Sequence, residues 1–454
     1  MSALFALTLL VVAGAFFFAP MDRTWPETKR ALEARGEVLD WEKIIPRFVA
    51  PEENLFDDPV AASLLPLKGQ ATPPNPLGVK APRLPPGSEQ LGIPFALSNL
   101  VALPRTSKSK DEISLAELDD WFAQWDESFV QLRAAGKRPK VRLPGNYSSP
   151  VAAPIPNFVS ARTLAQVLGS RAKVHLLLGQ SRAAFDDLAS LEVLMKSFEA
   201  QPGMLVTAMI HVAVAGLYLD TIEEGLRHKL WADAELEKIA RRLPERNLFH
   251  VVTEGIRAER AGVLRHLTAM AERKHDPMYQ ATMDAFTSGE WTVERAVFEF
   301  APSGWIRGSQ AQYARIIQGY LDGINTERRT IDQAQIDQQN AEVAEITSRW
   351  SPRKAILLCV TPNFSKAAAT MAKNQMRLHE LAIACALQRY YMKHNCYPHR
   401  LEQLVPVYIS IIPTDVYTGR PIQYELRASG YELFASTNQV THPADFGNFV
   451  WVGD

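Results

Sequence analysis

The sequence predicts a mainly α protein with three parts. These are an N-terminal transmembrane helix, an irregular α-helical domain of tetratricopeptide-like hairpins, and a small α+β C-terminal module with a short antiparallel sheet. Three observations predict it. Residues 3–19 form an uncharged apolar run. Between Leu115 and His394 apolar residues recur mostly at the helical period. Past Tyr397-Pro398 the pattern changes to two short alternating segments bounded by turn residues. The expected boundaries are 1–20 for the anchor, 21–45 for a juxtamembrane helix, 46–110 for a Pro-rich extended segment lying on the body, 111–350 for the helical domain, and 351–454 for a long helix with the β module.

The run Ala3–Ala19 would be about 26 Å long as a helix at roughly 1.5 Å per residue. That is just enough for a hydrocarbon core of about 30 Å. It has no amphipathic face, and Phe16, Phe17 and Phe18 extend it past the small-residue stretch Ala13-Gly14-Ala15. An uncleaved anchor is the leading reading, and a removed secretory signal the alternative. Arg23, Lys29, Arg30 and Arg35 flank the run on its C-terminal side, which by the positive-inside rule puts the body in the cytoplasm.

Residues 46–104 hold 12 of the 30 prolines, so extended chain rather than helix is expected there. Phe48, Leu55, Phe56, Leu64, Leu65 and Phe95 are too apolar for a solvated linker, so the strip should lie against the body. A capping box at Ser114-Leu115-Ala116-Glu117 opens the first body helix. Two helices follow over 159–200, broken near Gly179-Gln180, with a third over 204–229. The next is capped by Asp233 and stops before Pro244, and another covers 246–273 with Phe249, Val252, Ile256, Val263, Leu267 and Met270 on its buried side. No fixed repeat period is present. Residues 283–309 should interrupt the helices, which resume near Gln310, and the last long helix should run from about Ser365 to His394. Two strands are expected at 422–426 and 431–435 around Ala428-Ser429-Gly430, with a third at 449–452.

The C-terminal block resembles the globular end of type II secretion pseudopilins. The resemblance rests on Tyr397, Pro398, Leu401, Leu404, Val405, Pro406, Pro413, Asp415, Gly419, Pro421 and Tyr424, within about residues 375–450. The chain departs from that family in placing a large soluble body between anchor and module, and in reducing the acidic calcium loop to Asp445-Phe446-Gly447. As a whole it resembles large membrane-anchored bacterial proteins that carry such an end, which have no activity to transfer. The resemblance implies the bacterial inner membrane, a single pass, and a body on the periplasmic side. The flanking charges argue for the cytoplasmic side.

Chemistry is sparse. Lys plus Arg total 49 and Asp plus Glu total 50, so there is no electrostatic case for nucleic acid. Three cysteines allow at most one disulfide. There is no phosphate loop, no His-Glu-x-x-His and no Cys-x-x-Cys, so no metal and no cofactor is expected. Ser170-Arg171-Ala172-Lys173 and Ser351-Pro352-Arg353-Lys354 match Ser-x-x-Lys without the partners that make it meaningful. His250 and Glu254 stand one helical turn apart, the spacing of an acid/base pair. Arg257 can neutralise Glu254 instead. Trp305, after Pro302-Ser303-Gly304, suits either a plug between helices or the wall of a groove. The binding candidates are therefore His250, Glu254, Arg257 and Trp305. The leading expectation is a non-enzymatic envelope scaffold or assembly protein, engaging protein partners of a secretion or pilus-like system. The alternatives are a membrane-tethered hydrolase with a site built from distant residues, and a secreted binding protein after signal cleavage.

Overall fold

A computed structural model describes residues 24–68, 115–199, 203–287, 299–348, 356–357, 364–428 and 430–434. The expected transmembrane helix, the Ser114 capping side chain, Phe95, Ser351-Lys354 and the third strand at 449–452 lie outside the described residues. Within them the chain is mainly helical, with a small antiparallel sheet in the C-terminal region.

The N-terminal part carries α1 (Thr24–Glu33), α2 (Trp41–Ile44) and α3 (Pro59–Leu64). The proline-rich strip is not simply extended here. Pro51–Glu53 and Leu55–Asp57 are 3-10 turns, and Pro59 occupies the first turn of α3. A proline is tolerated there because its missing N–H would be unpaired anyway. Asp58 caps α3 by accepting from the backbone N–H groups of Val60 and Ala61 at 3.0 and 3.3 Å. Leu55, Phe56, Leu64 and Leu65 are buried in the main core, whereas Phe48 is exposed. Arg138 fastens the strip by donating to the carbonyls of Pro51 and Asn54, both at 3.0 Å.

The body opens with α4 (Leu115–Ala123) and α5 (Asp126–Ala135). The single amphipathic pattern over 115–132 thus bends at Gln124-Trp125 into two helices. Next come the antiparallel α6 (Phe158–Leu177) and α7 (Ser181–Ser197). Their turn places Gly179 at φ +75°, a left-handed conformation that glycine adopts at least cost. α8 (Leu205–Arg227) is the central helix and packs on α6, α7 and the helices Leu248–Glu272 and Phe364–His394. By length and composition it could cross a membrane, with mean hydropathy 1.7 over its most apolar window. Here it serves as a core helix: most of that window is buried in protein, and its second half carries Asp220 and Glu223 paired with Arg377.

The remaining helices are α9 (Asp233–Arg242), α10 (Leu248–Glu272), α11 (Tyr279–Thr287), α12 (Ser303–Asp322), α13 (Gln333–Thr347) and α14 (Phe364–His394), of which α10 and α14 pack on α8. Two expectations are corrected. Asp233 is the first helical residue of α9, and Ala232 is the cap. α12 begins at Ser303, inside the stretch read as an interruption, because Pro302 sits at the cap and leaves the following N–H groups free to start a helix. Ser170 and Lys173 of the first Ser-x-x-Lys match are both buried within α6. A short ladder, β1 (Ile324–Asn325) with β2 (Thr330–Ile331), joins α12 to α13.

The C-terminal module is a hairpin of β3 (Gln423–Arg427) and β4 (Gly430–Phe434), registered Gln423 to Phe434 and Arg427 to Gly430. It is seated firmly on the body. The Ile331 N–H donates to Val416 at 2.8 Å, and the Tyr424 hydroxyl donates to Pro398 at 2.7 Å. Tyr397 and Tyr431 meet edge-on with ring centres 4.9 Å apart. On α14, His379 donates from Nδ1 to the Thr414 carbonyl at 2.7 Å and accepts at Nε2 from Gln375.

Candidate functional site

A cavity of about 590 Å³ lies between the C-terminal part of α7, the start of α8, the Leu243–Glu245 turn and the first turns of α10. Asn247 starts α10 by accepting from the His250 N–H at 3.1 Å, and it donates to the Thr326 carbonyl at 2.8 Å. This places His250 and Glu254 on the cavity side. Gly255 permits the walls to close: a Cβ there would stand 2.7 Å from that of Ala208 on α8.

The four candidate residues are not brought together. His250 and Glu254 line the cavity, but Arg257 and Trp305 do not. Arg257 donates to Glu254 at 2.7 Å and to Glu37 at 3.3 Å, so it ties the helix to the N-terminal strip. Arg260, fully buried, also reaches Glu37 and donates to Gln318 at 2.8 Å. Trp305 lies half-buried in the first turn of α12, packed against the core.

The charged and titratable lining residues not singled out in the sequence include Glu192, Glu199, His211, Arg242, Glu245 and Arg246. Glu192 is the hub of a closed network. It accepts from Arg242 and Arg246, each at 2.7 Å, and from the Tyr218 hydroxyl at 3.0 Å. The Arg246 guanidinium also stacks 4.9 Å over the Tyr218 ring. His211 is 3 % exposed and donates from Nδ1 to the Met195 carbonyl at 3.0 Å. Burial, helped by the nearby Arg246, lowers its pKa to about 4, so the ring is neutral at pH 7. Its Nδ1 is 3.9 Å from the Glu199 carboxylate, which stands at the cavity mouth. Burial raises the Glu199 pKa, with Arg246, Lys196 and His250 only partly offsetting it. One signal for these was present: His211 interrupts the apolar stretch Met209-Ile210-His211-Val212.

A second cavity of about 370 Å³ lies between α4, α5, α6 and α7. There His175 is clamped between Asp187 on Nδ1 at 2.8 Å and Asp119 on Nε2 at 3.1 Å. Asp187 is 1 % exposed, and burial raises its pKa against the pull of His175 and Arg171. Among the described residues no group of three or more His, Cys, Asp or Glu side chains could hold a metal ion.

Comparison with known protein families, with curated proteins and with solved structures finds no match. The functional reading therefore rests on the residues themselves.

Proposed function

We propose that this chain is a membrane-tethered scaffold whose helical body presents the C-terminal hairpin module to a protein partner of the bacterial cell envelope. The observation that carries the reading is the surface of that module. Val407 and Ile411 are 66 % and 67 % exposed, and Val405 and Leu426 also face solvent. So many aliphatic side chains on one small module are costly to leave in water, and such patches mark interaction surfaces. The outer strand supports it. Among the described residues β3 pairs only with β4, and most of its side chains are exposed. An edge of this kind can accept a further strand from a partner. Glu425 and Arg427 place charges on it, with Glu432 of β4 paired to Arg427, the usual guard against unspecific pairing.

The resemblance of residues 397–424 to the pseudopilin end supports a partner in a secretion or pilus-like assembly, and with it a periplasmic body. The run Ala3–Ala19 would supply the tether. The closed network around Glu192 and the Glu254–Arg257–Glu37 chain weigh against a hydrolase at the cavity lined by Glu192 and Glu254, since those charges are already engaged with one another.

The test uses the full chain in native membranes with a photo-crosslinker at position 407 or 426. A single discrete adduct from each position is the expected result, and the adduct from position 426 should be lost when Val407→Asp and Ile411→Asp are combined. The scaffold reading falls if neither position yields an adduct above that from a crosslinker on exposed Glu327. Protease shaving of spheroplasts tests the side: a body intact until lysis would place it in the cytoplasm.

A further inference from the structure

Three helices of the body meet at a single imidazole. His175 of α6 presents Nδ1 to Asp187 of α7 at 2.8 Å and Nε2 to Asp119 of α4 at 3.1 Å. Both contacts attract only when each holds a proton, so this chain of acid, ring and acid needs two protons, wherever between the partners they sit. Once one leaves, the other stays in the inner contact. Asp187 is 1 % exposed and cannot turn to water, whereas the Asp119 side chain is 29 % exposed and can. The bare Nε2 lone pair then faces the Asp119 carboxylate, and that contact repels. The cavity of about 370 Å³ gives water a route to the ring. Facing His175 there are Asp119 and Asp120 of α4, Asp126 and Arg133 of α5, and Asp186 and Asp187 of α7, with Arg171 one turn back on α6. No residue of α3 or α8, which also pack on α6, lines it. Neither arginine can stand in for the ring. Arg171 donates to Asp126 and lies 3.7 Å from Asp187, and Arg133 donates to the Asp186 carbonyl and the Ser190 hydroxyl. Among the described residues His175 is the one charged partner of Asp119, and Gln180 adds a neutral contact at 3.3 Å.

We propose that the Asp187–His175–Asp119 chain is a pH-sensitive latch, which holds α4 on α6 while it carries two protons and loosens α4 when one is lost to water. The latch is closed at low pH and opens as pH rises. Burial already presses Asp187 toward its neutral form against the pull of His175 and Arg171, as expected where acids outnumber cations. What loosening uncovers is apolar. Leu118 and Phe122 are the buried residues of α4, and the Phe122 ring meets Trp121 edge-on with centres 5.0 Å apart. The inference does not rest on the scaffold reading, since it concerns α4 and not the hairpin module.

A global unfolding midpoint sums over every titrating group, so the test is local. Amide hydrogen exchange of the full-length, detergent-solubilised chain is followed at pH 5, 7 and 8.5, with rates corrected for the intrinsic pH dependence of exchange. The amides of Leu115–Ala123 should exchange faster at pH 8.5 than at pH 5 by about fivefold, the scale of one partly exposed ion pair. Those of Ser303–Asp322, a helix without histidine, should not change. Asp119→Asn puts an amide N–H opposite Nε2, which can donate to the neutral ring, so its α4 should stay protected at pH 8.5. Asp120→Asn, at the exposed neighbouring position, should behave as the wild type does. Nitrogen-15 spectra of the His175 ring should show two protonated nitrogens at pH 5 and one at pH 8.5. Because Asp119 is partly exposed, its variant should fold, and the ring spectra test the latch in the wild type alone. The inference is overturned if α4 exchanges equally at both pH values, if Asp119→Asn loosens with pH as the wild type does, or if the protonation of the ring does not change over this range.

Discussion

Glu380 is a carboxyl that the fold keeps protonated, and replacing it with glutamine should stabilise the protein. It lies on α14, 6 % exposed, one turn from Arg377. That guanidinium is already shared by Asp220 at 2.6 Å and Glu223 at 2.8 Å. One cation therefore serves three acids, and Glu380 is the most buried of them. Burial raises its pKa from 4.5 to about 8, Asp415 and Glu223 add to the rise, and Arg377 only partly opposes it. The folded state thus holds a proton that the unfolded chain releases above pH 4.5. A cost appears as pH rises past that value and levels off above pH 8. Linkage with these two values makes the cost about 3 kcal/mol at pH 7 and close to zero below pH 4.5. Glu380→Gln keeps the shape and removes the proton release. The gain should therefore be about 3 kcal/mol at pH 7, a rise of about 3 °C in unfolding midpoint for a body of this size. Urea unfolding of both proteins at pH 5, 7 and 8.5 reads it directly. If the variant's advantage does not grow from pH 5 to pH 8.5, Glu380 is ionised and paired in the fold, and the reasoning is wrong.

Two further perturbations follow from the same packing. His211, His266 and His379 all have pKa values lowered to about 4 by burial, so each stabilises the fold fully above pH 6.5 and less as pH falls toward 4. At pH 5 each should cost about 2 kcal/mol relative to pH 7, which outweighs the relief at Glu380. The urea midpoint should fall between pH 7 and 5, and a flat or rising midpoint would refute it. Leu55→Ala, in the proline-rich strip, should cost about 2–5 kcal/mol because Leu55 is fully buried in the main core. A silent substitution in the same unfolding assay would mean the strip is only loosely attached.

Much of the helical architecture was legible because it is written in short-range repetition. Phe249, Val252, Ile256 and Leu267 recur on one side of α10, and burying that side needs no knowledge of the partner. The reading failed where one residue type has two meanings. Pro302 breaks a helix from within but is compatible with the cap of one, and only the fold decides which. Pro59 is the same case, with Asp58 as the cap. Asp233 was read as a cap from its chemistry, yet an acid in the first turn serves the helix dipole equally well.

The candidate site was less legible for a different reason. A charged residue on an amphipathic helix looks like solvated surface until its partner is known, and the partners here are remote. Glu37 meets Arg260 across 223 positions, and Arg246 meets Glu192 across a turn and two helices. The spacing of His250, Glu254 and Arg257 found the local pair correctly but missed what matters about it. Arg257 turns to Glu37, and the cavity that His250 lines is shared with Glu199, just past α7, and His211 from α8. His211 alone carried a local signal, because an imidazole amid Ile210, Val212 and Val214 has no solvated face to occupy. Such a residue must either satisfy both nitrogens inside the protein or leave one for a ligand. Here the Met195 carbonyl takes the Nδ1 proton, and the ring stays neutral inside the helix bundle because burial lowers its pKa to about 4.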